Sequence, residues 1–323
     1  MKCIFMLASN YGMKCFEAVL TIPCVKIVGV VTTKENYELR YDKGKSTKYM
    51  VNEIYHSLLE RCQSLNMPVH IIEKMNDETT IQKLKRWNAD LIIVSGWYHL
   101  IGSCILNLPK KGVIGLHPSL LPKYRGGAPL VWQMINGEKY AGITLFYMDG
   151  GVDSGDIIGQ KKTEIAYKDT IKSLYEKVGE KGIELLREYL PQIERDCSPR
   201  KKQTDLDEQD IWPQRKPDDG EIDWSLTSRQ IYDFIRAQTR PYPGAFTHYD
   251  EKVYNIWEAE IVNYHRFHHK SGAILDVDLK EGSCIVASGD ETTAIKVTAI
   301  ERRRLISEED NRTVRFEKGK VFY

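Results

Sequence analysis

Apolar runs and amphipathic stretches alternate along the first 200 residues of the chain. Several short runs have the length and the β-branched content of buried strands: KCIFMLA, KIVGVVTT, PVHII and DLIIVSG. Other stretches repeat their apolar residues with helical spacing: MVNEIYHSLLERCQSL, TIQKLKRW and KDTIKSLYEKVGEKGIELLREYLPQI. Two glycines, Gly179 and Gly182, are expected to soften the last helix. Strands that alternate with helices predict a Rossmann-like α/β domain with a mostly parallel sheet.

The pattern changes after about residue 200. The polar segment SPRKKQTDLDEQD predicts a linker, and SRQIYDFIRAQ predicts one helix. The apolar runs that follow are short and of β type: KVYNIWEAEIV, GAILDVD, SCIVAS and TAIKVTAI. Short strands separated by turns predict a small β-rich domain. We therefore predict two domains, residues 1–205 and residues 206–323.

A candidate site lies in the centre of the chain. The apolar strand VIGL delivers His117, and Pro118 biases that histidine away from helix. A second strand, GITLFYM, runs into the loop DGGVDSGD, which contains Asp149, Asp153 and Asp156. Ligands of open α/β sheets bind beyond the carboxyl ends of the strands, so parallel strands would bring His and Asp to one crevice. A hydrogen-bonded structural histidine beside an ordinary Asp-Gly turn is the alternative.

Two separated blocks of sequence resemble the formyltransferase family that uses N10-formyltetrahydrofolate. The first is HPSLLPKYRGGAP followed by DGGVDSGD, and the second contains RKPDDGEIDW and IRAQTRPYPGAFT. The similarity extends to the opening strand and to DLIIVSGWYHLI, so it spans nearly the whole chain. The subgroup it resembles includes methionyl-tRNA formyltransferase and the N-formyltransferases of nucleotide-linked amino sugars. The resemblance implies an OB-like fold for the C-terminal domain.

The resemblance also implies catalytic residues. His117 matches the catalytic histidine of the family and Asp153 matches its aspartate, but Gly115 stands where the family has an asparagine that helps to hold the oxyanion. Loss of one oxyanion donor typically lowers turnover by about 10²–10³. Protonated His117, or a backbone N–H of Gly150–Gly151, is a candidate replacement. We expect an asparagine at position 115 to damage folding or folate binding, because glycine provides room or an unusual backbone angle there.

Two loops match the segments that hold the folate head group in the family, largely through backbone atoms. The implied folate-binding residues are Ser119, Leu120, Leu121, Pro122, Asp149, Gly150, Gly151 and Val152. Trp97 and Tyr98 follow a strand at the crevice position, which makes them candidates to contact the acceptor substrate, with core packing as the alternative. The formyl donor implied is N10-formyltetrahydrofolate. The sequence has no G-x-G-x-x-G motif, so no dinucleotide is predicted.

Composition narrows the class of protein. The 323 residues carry a net charge of +1 and are 42% hydrophobic, which suits two packed domains. No run of about 18 apolar residues and no signal-peptide pattern is present, so we expect a cytoplasmic protein without a membrane span. The seven scattered cysteines include no C-x-x-C pair, which predicts reduced thiols and no structural zinc. The histidines His265, His268 and His269 are interpreted as part of a solvated loop rather than as metal ligands.

Charge distribution bears on the acceptor. Residues 206–323 contain 17 Lys and Arg against 22 Asp and Glu, a net charge of −5, which argues against a nucleic-acid partner. Residues 34–48 hold five basic against three acidic residues, at the place where tRNA formyltransferases carry an insertion. We therefore expect a nucleotide-linked amino sugar as acceptor, with methionyl-tRNA formyltransferase as the alternative. A formate-releasing hydrolase and a non-catalytic folate or nucleotide-sugar binder are further alternatives, and a homodimer is left open.

Overall fold

The computed structural model describes residues 1–41, 46–204, 211–265, 269–303 and 316–323. These residues form two compact units that interleave along the chain. The first unit contains residues 1–126, 142–163 and 177–211, and the second contains residues 127–141, 164–176 and 212–323. The domain boundary expected between residues 205 and 206 falls outside the described residues.

The helices and strands follow one another in an order that confirms the expected alternation. They are β1 (Lys2–Met6), α1 (Asn10–Leu20), β2 (Lys26–Thr33), β3 (Asn36–Tyr41), β4 (Ser46–Val51), α2 (Tyr55–Ser64), β5 (Val69–Ile72), α3 (Glu78–Trp87), β6 (Leu91–Val94), α4 (Ser103–Leu106), β7 (Val113–His117), β8 (Arg125–Gly126), α5 (Pro129–Ile135), β9 (Tyr140–Tyr147), β10 (Ile157–Glu164), α6 (Ile171–Glu194), β11 (Ile211–Trp212), α7 (Ser228–Gln238), β12 (Ala245–Tyr249), β13 (Lys252–Asn263), β14 (Ile274–Asp278), β15 (Ser283–Ala287) and β16 (Thr293–Arg302).

A seven-stranded sheet forms the centre of the first unit, in the order β10-β9-β7-β6-β1-β2-β5. The pairs β1–β2, β1–β6, β2–β5 and β6–β7 are parallel, which confirms the mostly parallel sheet. All four side chains of β6 are buried, as its unbroken apolar run predicts. The pair β7–β9 is antiparallel, so the assumption of parallel strands before the His and Asp loops is wrong for these two.

Side-chain caps define where two helices of the first unit begin. Ser9 caps α1 by accepting a hydrogen bond from the N–H of Gly12, and Asp77 caps α3 through the N–H of Thr80. The apolar face of α3 buries Ile81 and other side chains against the sheet. Helix α1 and the β3–β4 hairpin, whose strands pair antiparallel, are two elements that were not predicted from the sequence.

The long helix α6 is continuous from Ile171 to Glu194. Its glycines give room to a neighbouring side chain. A Cβ atom at Gly182 would lie 2.0 Å from the Oη atom of Tyr11, and one at Gly179 would lie 3.1 Å from Cε2 of the same ring. These glycines therefore allow the close approach of α6 to Tyr11, and the expectation that they soften the helix stays a prediction.

The second unit contains a five-stranded antiparallel sheet in the order β12-β13-β16-β15-β14. This sheet confirms the β-rich C-terminal domain. Helix α7 covers it and contributes Ile231 and Ile235 to the buried cluster around Trp224 and Phe322. A capping box between Thr227 and Gln230 fixes the start of α7.

Three further expectations concern the whole chain. In the part of the chain that the structure describes, no helix is both long enough and apolar enough to cross a membrane. All seven cysteines are free thiols. His268 lies outside the described residues, and no group of three or more potential metal ligands comes together among those that are described.

Candidate active site

The parallel strands bring His117, Trp97 and Tyr98 to the carboxyl edge of the sheet. The order of the parallel strands reverses between β1 and β6, which is the position where open α/β sheets form a ligand crevice. The loops that follow these strands meet there, because the N–H of Ala8 donates to the carbonyl of Gly96 at 3.0 Å. Strand β7 lies next to β6, with Gly115 opposite Val94, and ends at His117. The histidine therefore lies beside the crevice.

His117 and Asp153 are in contact, as the motif predicts. The Nδ1 atom of His117 lies 3.3 Å from Oδ2 of Asp153. His117 is only 6% exposed, so water screens this contact poorly. A carboxylate at Nδ1 can hold the ring in one orientation and stabilise its protonated form.

The loop after β9 carries Asp153 to the histidine. The carboxylate of Asp149 shapes this loop by accepting hydrogen bonds from the N–H of Gly151 at 3.0 Å and from Oγ of Ser154 at 2.7 Å. Asp153 has a left-handed backbone with φ of +49°, which aspartate tolerates better than most residues. Its Oδ2 atom also accepts a hydrogen bond from the N–H of Gly126 at 2.9 Å. One carboxylate oxygen therefore bridges the histidine and the segment that follows it.

The second ring nitrogen of His117 contacts a backbone oxygen that the sequence analysis missed. Nε2 donates to the carbonyl of Tyr124 at 2.8 Å. A carbonyl oxygen only accepts, so Nε2 carries a proton in this arrangement. Tyr124 has φ of +57°, a left-handed conformation. Both nitrogens of His117 thus face oxygen atoms, and an imidazolium would donate to both.

Gly115 is buried and shares a face of β7 with His117, two residues further on. Its φ is not in the left-handed region, so the expectation of an unusual backbone angle is wrong. The expectation that glycine provides room at position 115 is explained by two side chains that lie close to it. A Cβ atom here would lie 3.2 Å from Sδ of Met148 and 3.4 Å from Cε1 of Phe146. Both neighbours are side chains, and the thioether of methionine adapts readily.

The predicted folate-binding loop of residues 119–122 is tied to the sheet. Thr144 Oγ1 donates to the carbonyl of Ser119 at 2.6 Å and accepts from the N–H of Leu121 at 3.1 Å. The Nε2 atom of Gln160 donates to the carbonyl of Leu121 at 2.8 Å. Leu120 packs over Gly142, where a Cβ would lie 2.4 Å from it, and Pro122 is half-buried. Several backbone groups of this loop are therefore bonded within the protein.

Residues 149–152 form the more open of the two predicted folate loops. All four are exposed, and a Cβ atom at Gly150 would meet nothing within 4 Å. The N–H of Gly151, a candidate oxyanion donor, is bonded to Asp149. The side chain of Val152 is also exposed.

Trp97 and Tyr98 follow β6 at the crevice edge but differ in environment. Trp97 is half-buried and packs against a hydrophobic cluster of the first unit. Its Nε1 atom is buried without a hydrogen-bond partner among the described residues. Tyr98 is 49% exposed. The ring of His99 lies 5.5 Å from that of Trp97, and burial lowers its pKa, so His99 is neutral at pH 7.

Two family models match the sequence, in the same order as the two predicted domains. Residues 13–190 match the formyl transferase model, and residues 215–311 match the model of the formyl transferase C-terminal domain. The chain belongs to the formyl transferase family. It is therefore a formyltransferase, and the family resemblance noted in its motifs is confirmed.

Relatives of this formyltransferase extend over nearly its full length. A methionyl-tRNA formyltransferase of Clostridioides difficile (strain 630) is 32% identical over 308 residues, which cover 95% of this chain and 91% of the relative. WlaRD, a sugar 3N-formyl transferase solved in the presence of dTDP and 5-N-formyl-THF, has a TM-score of 0.62 at 19% identity, covering 92% of this chain and 97% of WlaRD.

A second similar structure is HypX from Aquifex aeolicus in complex with tetrahydrofolic acid, with a TM-score of 0.58 at 18% identity. The match covers 94% of this formyltransferase but only 44% of HypX. At this level of identity the two solved structures show a shared fold, and they do not bear on the acceptor.

Proposed function

We propose that this formyltransferase transfers the formyl group of N10-formyltetrahydrofolate to the amino group of methionyl-tRNA. The observation that carries the proposal is the full-length similarity to a methionyl-tRNA formyltransferase at 32% identity, through both family-matched regions. This similarity favours methionyl-tRNA as the acceptor, whereas the charge distribution alone favours a nucleotide-linked amino sugar.

A second observation supports a tRNA acceptor. The segment with five basic and three acidic residues, 34–48, contains β3 and the first residues of β4, which pair antiparallel between β2 and α2. The N–H of Asn52 donates to the carbonyl of Glu35 at 2.7 Å, which closes the base of the hairpin. The buried amide of Asn52 also donates to Thr32 Oγ1 at 3.0 Å and to the carbonyl of Thr33 at 3.2 Å. This anchored base lies at the carboxyl end of β2, on the edge of the sheet that carries His117.

The proposed reaction is an acyl transfer. The amine attacks the formyl carbon and forms the new C–N bond, and the formyl oxygen takes the negative charge of the tetrahedral intermediate. The bond between N10 and the formyl carbon then breaks. The amine loses one proton and N10 gains one, so a proton relay completes the reaction. We assign that relay to His117, with Asp153 orienting the ring through Nδ1.

The resting contacts of His117 indicate where the reacting groups enter. Both ring nitrogens face protein oxygens, so a reacting atom must replace one of them. Replacement at Nε2 removes a neutral carbonyl contact and keeps the carboxylate of Asp153 in place. We propose that the acceptor amine or the formyl oxygen displaces the Tyr124 carbonyl there. A protonated Nε2 would then supply the oxyanion donor that Gly115 does not.

A nucleotide-linked amino sugar is the second candidate acceptor. It is favoured by the net charge of −5 over residues 206–323, since a tRNA-binding surface gains affinity from positive charge. The chemistry at His117 and Asp153 is the same for either amine.

The acceptor can be tested with the purified chain, N10-formyltetrahydrofolate and two sets of acceptors. Mass spectrometry should find a formyl group on initiator methionyl-tRNA, with one tetrahydrofolate released per formyl transferred. Formylation of an amino sugar from a panel of nucleotide-linked sugars, with none on tRNA, would establish the second candidate instead. Formate release without any acceptor would identify a hydrolase.

A hairpin variant makes the same test more specific. Because Glu35 and Asn52 are already hydrogen-bonded, residues 36–51 can be replaced by a two-glycine turn with little strain at the ends. We expect this variant to lose transfer to tRNA while it keeps its affinity for tetrahydrofolate, measured by fluorescence quenching. Unchanged tRNA formylation would remove the hairpin from the acceptor site.

A further inference from the structure

We propose that Gln203 is a positioning residue for the catalytic pair, acting through the backbone of Asp153. This inference rests on the proposed roles of His117 and Asp153. Gln203 lies in the polar segment that the sequence predicts to be a linker, between the two family-matched regions. No side chain of that segment was a candidate for function.

The amide of Gln203 holds the loop that carries Asp153. Its Nε2 atom donates to the carbonyl of Asp153 at 3.0 Å and to the carbonyl of Gly155 at 2.7 Å. An amide nitrogen has two N–H groups, so both are used on this loop. The Oε1 atom is buried and has no hydrogen-bond partner among the described residues. The side chain is thus oriented by the two bonds that it donates.

The segment of residues 198–203 is itself fixed to the strands on either side of the loop. Lys201 and Ile157 exchange backbone hydrogen bonds of 2.8 and 2.9 Å. The hydroxyl of Ser198 lies 2.8 Å from that of Tyr147, and the guanidinium of Arg200 lies 3.6 Å from the centre of the Tyr147 ring. Tyr147 ends β9 and Ile157 begins β10. Gln203 therefore extends from an anchored segment rather than from a free linker.

The loop needs such a restraint at Asp153. Residues 149–152 are exposed, and the left-handed backbone of Asp153 is held against the usual preference of a residue with a side chain. The carboxylate is bonded to Gly126 and faces His117, whereas the carbonyl of the same residue is bonded to Gln203. The two sets of contacts together fix the carboxylate against the imidazole. A displacement of about 1 Å at a catalytic group can lower turnover by about 10²-fold.

The test compares Gln203→Ala and Gln203→Glu with the unchanged chain in steady-state formyl transfer. The glutamate is nearly isosteric but places carboxylate oxygens against two carbonyls. We expect both variants to lower kcat by about ten- to 100-fold. The KM for the folate should stay within about twofold of that of the unchanged chain, because the proposed folate-binding residues 149–152 are not bonded to Gln203. The control is Gln192→Ala, which removes a half-buried glutamine whose Nε2 donates to a carbonyl within α6. It should leave kcat unchanged.

A double-mutant cycle separates positioning from general support of the fold. If Gln203 acts through Asp153, then Gln203→Ala should add little to the loss already caused by Asp153→Asn. Multiplied losses, or a wild-type kcat in both Gln203 variants, would overturn the proposal. Full activity of Asp153→Asn would instead refute the catalytic pair on which it rests.

A measurement that does not depend on turnover distinguishes a failure of the positioning role of Gln203 from a failure of the proposed function. The imidazole ¹⁵N resonances of His117 report on its contact with Asp153. We expect Gln203→Ala to move them in the same direction as Asp153→Asn, with Gln192→Ala as the unshifted control. Resonances that match the unchanged chain in Gln203→Ala would contradict the positioning role whatever the acceptor is.

Discussion

Asp153 reaches His117 from a strand that runs antiparallel to the strand of the histidine, with Oδ2 of the aspartate 3.3 Å from Nδ1 of the ring. The end of β9 lies beside the start of β7, since Tyr147 pairs with Ile114. Strand direction therefore does not place the aspartate near the histidine. The loop after β9 does so, through its internal Asp149 contacts and its bond to Gly126.

The first prediction concerns this pair. His117→Asn and Asp153→Asn should each lower kcat by about 10²–10⁴, because the proton relay or its orientation is lost. Asparagine tolerates a left-handed backbone as aspartate does, so Asp153→Asn removes charge without disturbing the loop. The double variant should have a kcat only slightly lower than that of either single variant. Near-normal turnover in either folded variant, measured by product formation, would refute the assignment.

The second prediction concerns Gly115. A comparison of Gly115→Ala with Gly115→Asn separates the effect of bulk from that of the amide, since both add the Cβ that crowds Met148. We expect similar decreases in Tm for the two variants. We also expect at least a tenfold higher kcat for Asn than for Ala, because an oxyanion donor is worth about 10²–10³ in turnover. Equal kcat values would show that a side chain at 115 does not reach the oxyanion.

The third prediction concerns the packing of α6. Gly182→Ala should lower the free energy of unfolding by about 1–3 kcal/mol, since the new methyl group meets Tyr11 and overpacking outweighs the gain in helix propensity. Tyr11→Phe removes the hydroxyl oxygen that this methyl group would meet at 2.0 Å, while Cδ1 of Ile143 at 2.8 Å remains, so the same glycine change should cost less, but not nothing, in that background. Urea unfolding of the four proteins measures this. Equal costs in both backgrounds would exclude Tyr11 as the cause.

The fourth prediction concerns the thiols. Burial raises the pKa of Cys3 to about 12, of Cys62 to about 11 and of Cys284 to about 12. The reactive thiolate is therefore scarce at these cysteines at pH 8. Iodoacetamide should label the exposed Cys104 and Cys197 first, as read by peptide mass spectrometry. Early labelling of Cys62 in the folded protein would contradict the described packing.

Elements with a strong local signal could be predicted from the sequence. Helix α7 was predicted at its observed bounds from the helical spacing of its apolar residues, and the structure adds a Thr227–Gln230 capping box at its start. The strands β1, β2 and β6 were predicted because apolar β-rich runs bury both faces of a central strand. The β3–β4 hairpin was missed because its segment was interpreted only by its charge. The residues of β3 do alternate between polar and apolar, as in a half-buried strand, but those of β4 do not.

The candidate site was predictable only in part, for a similar physical reason. His117 and Asp153 belong to a motif of side chains. Tyr124 contributes a carbonyl oxygen, whose direction depends on a left-handed backbone that a tyrosine in the sequence does not predict. Gln203 bonds to a residue 50 positions earlier in the chain from a segment whose composition is typical of a linker. Contacts of this kind come from tertiary packing and leave no local pattern.

The most direct test of the account is single-turnover formyl transfer by the unchanged chain, which carries Gly115 where the motif resemblance implies an asparagine. Excess protein is mixed with N10-formyltetrahydrofolate and initiator methionyl-tRNA, and formylated product and tetrahydrofolate are quantified over time. We predict that both appear together at one rate, and that the rate falls at least 100-fold in His117→Asn. Tight binding of the folate without formyl transfer to any amine would contradict the account.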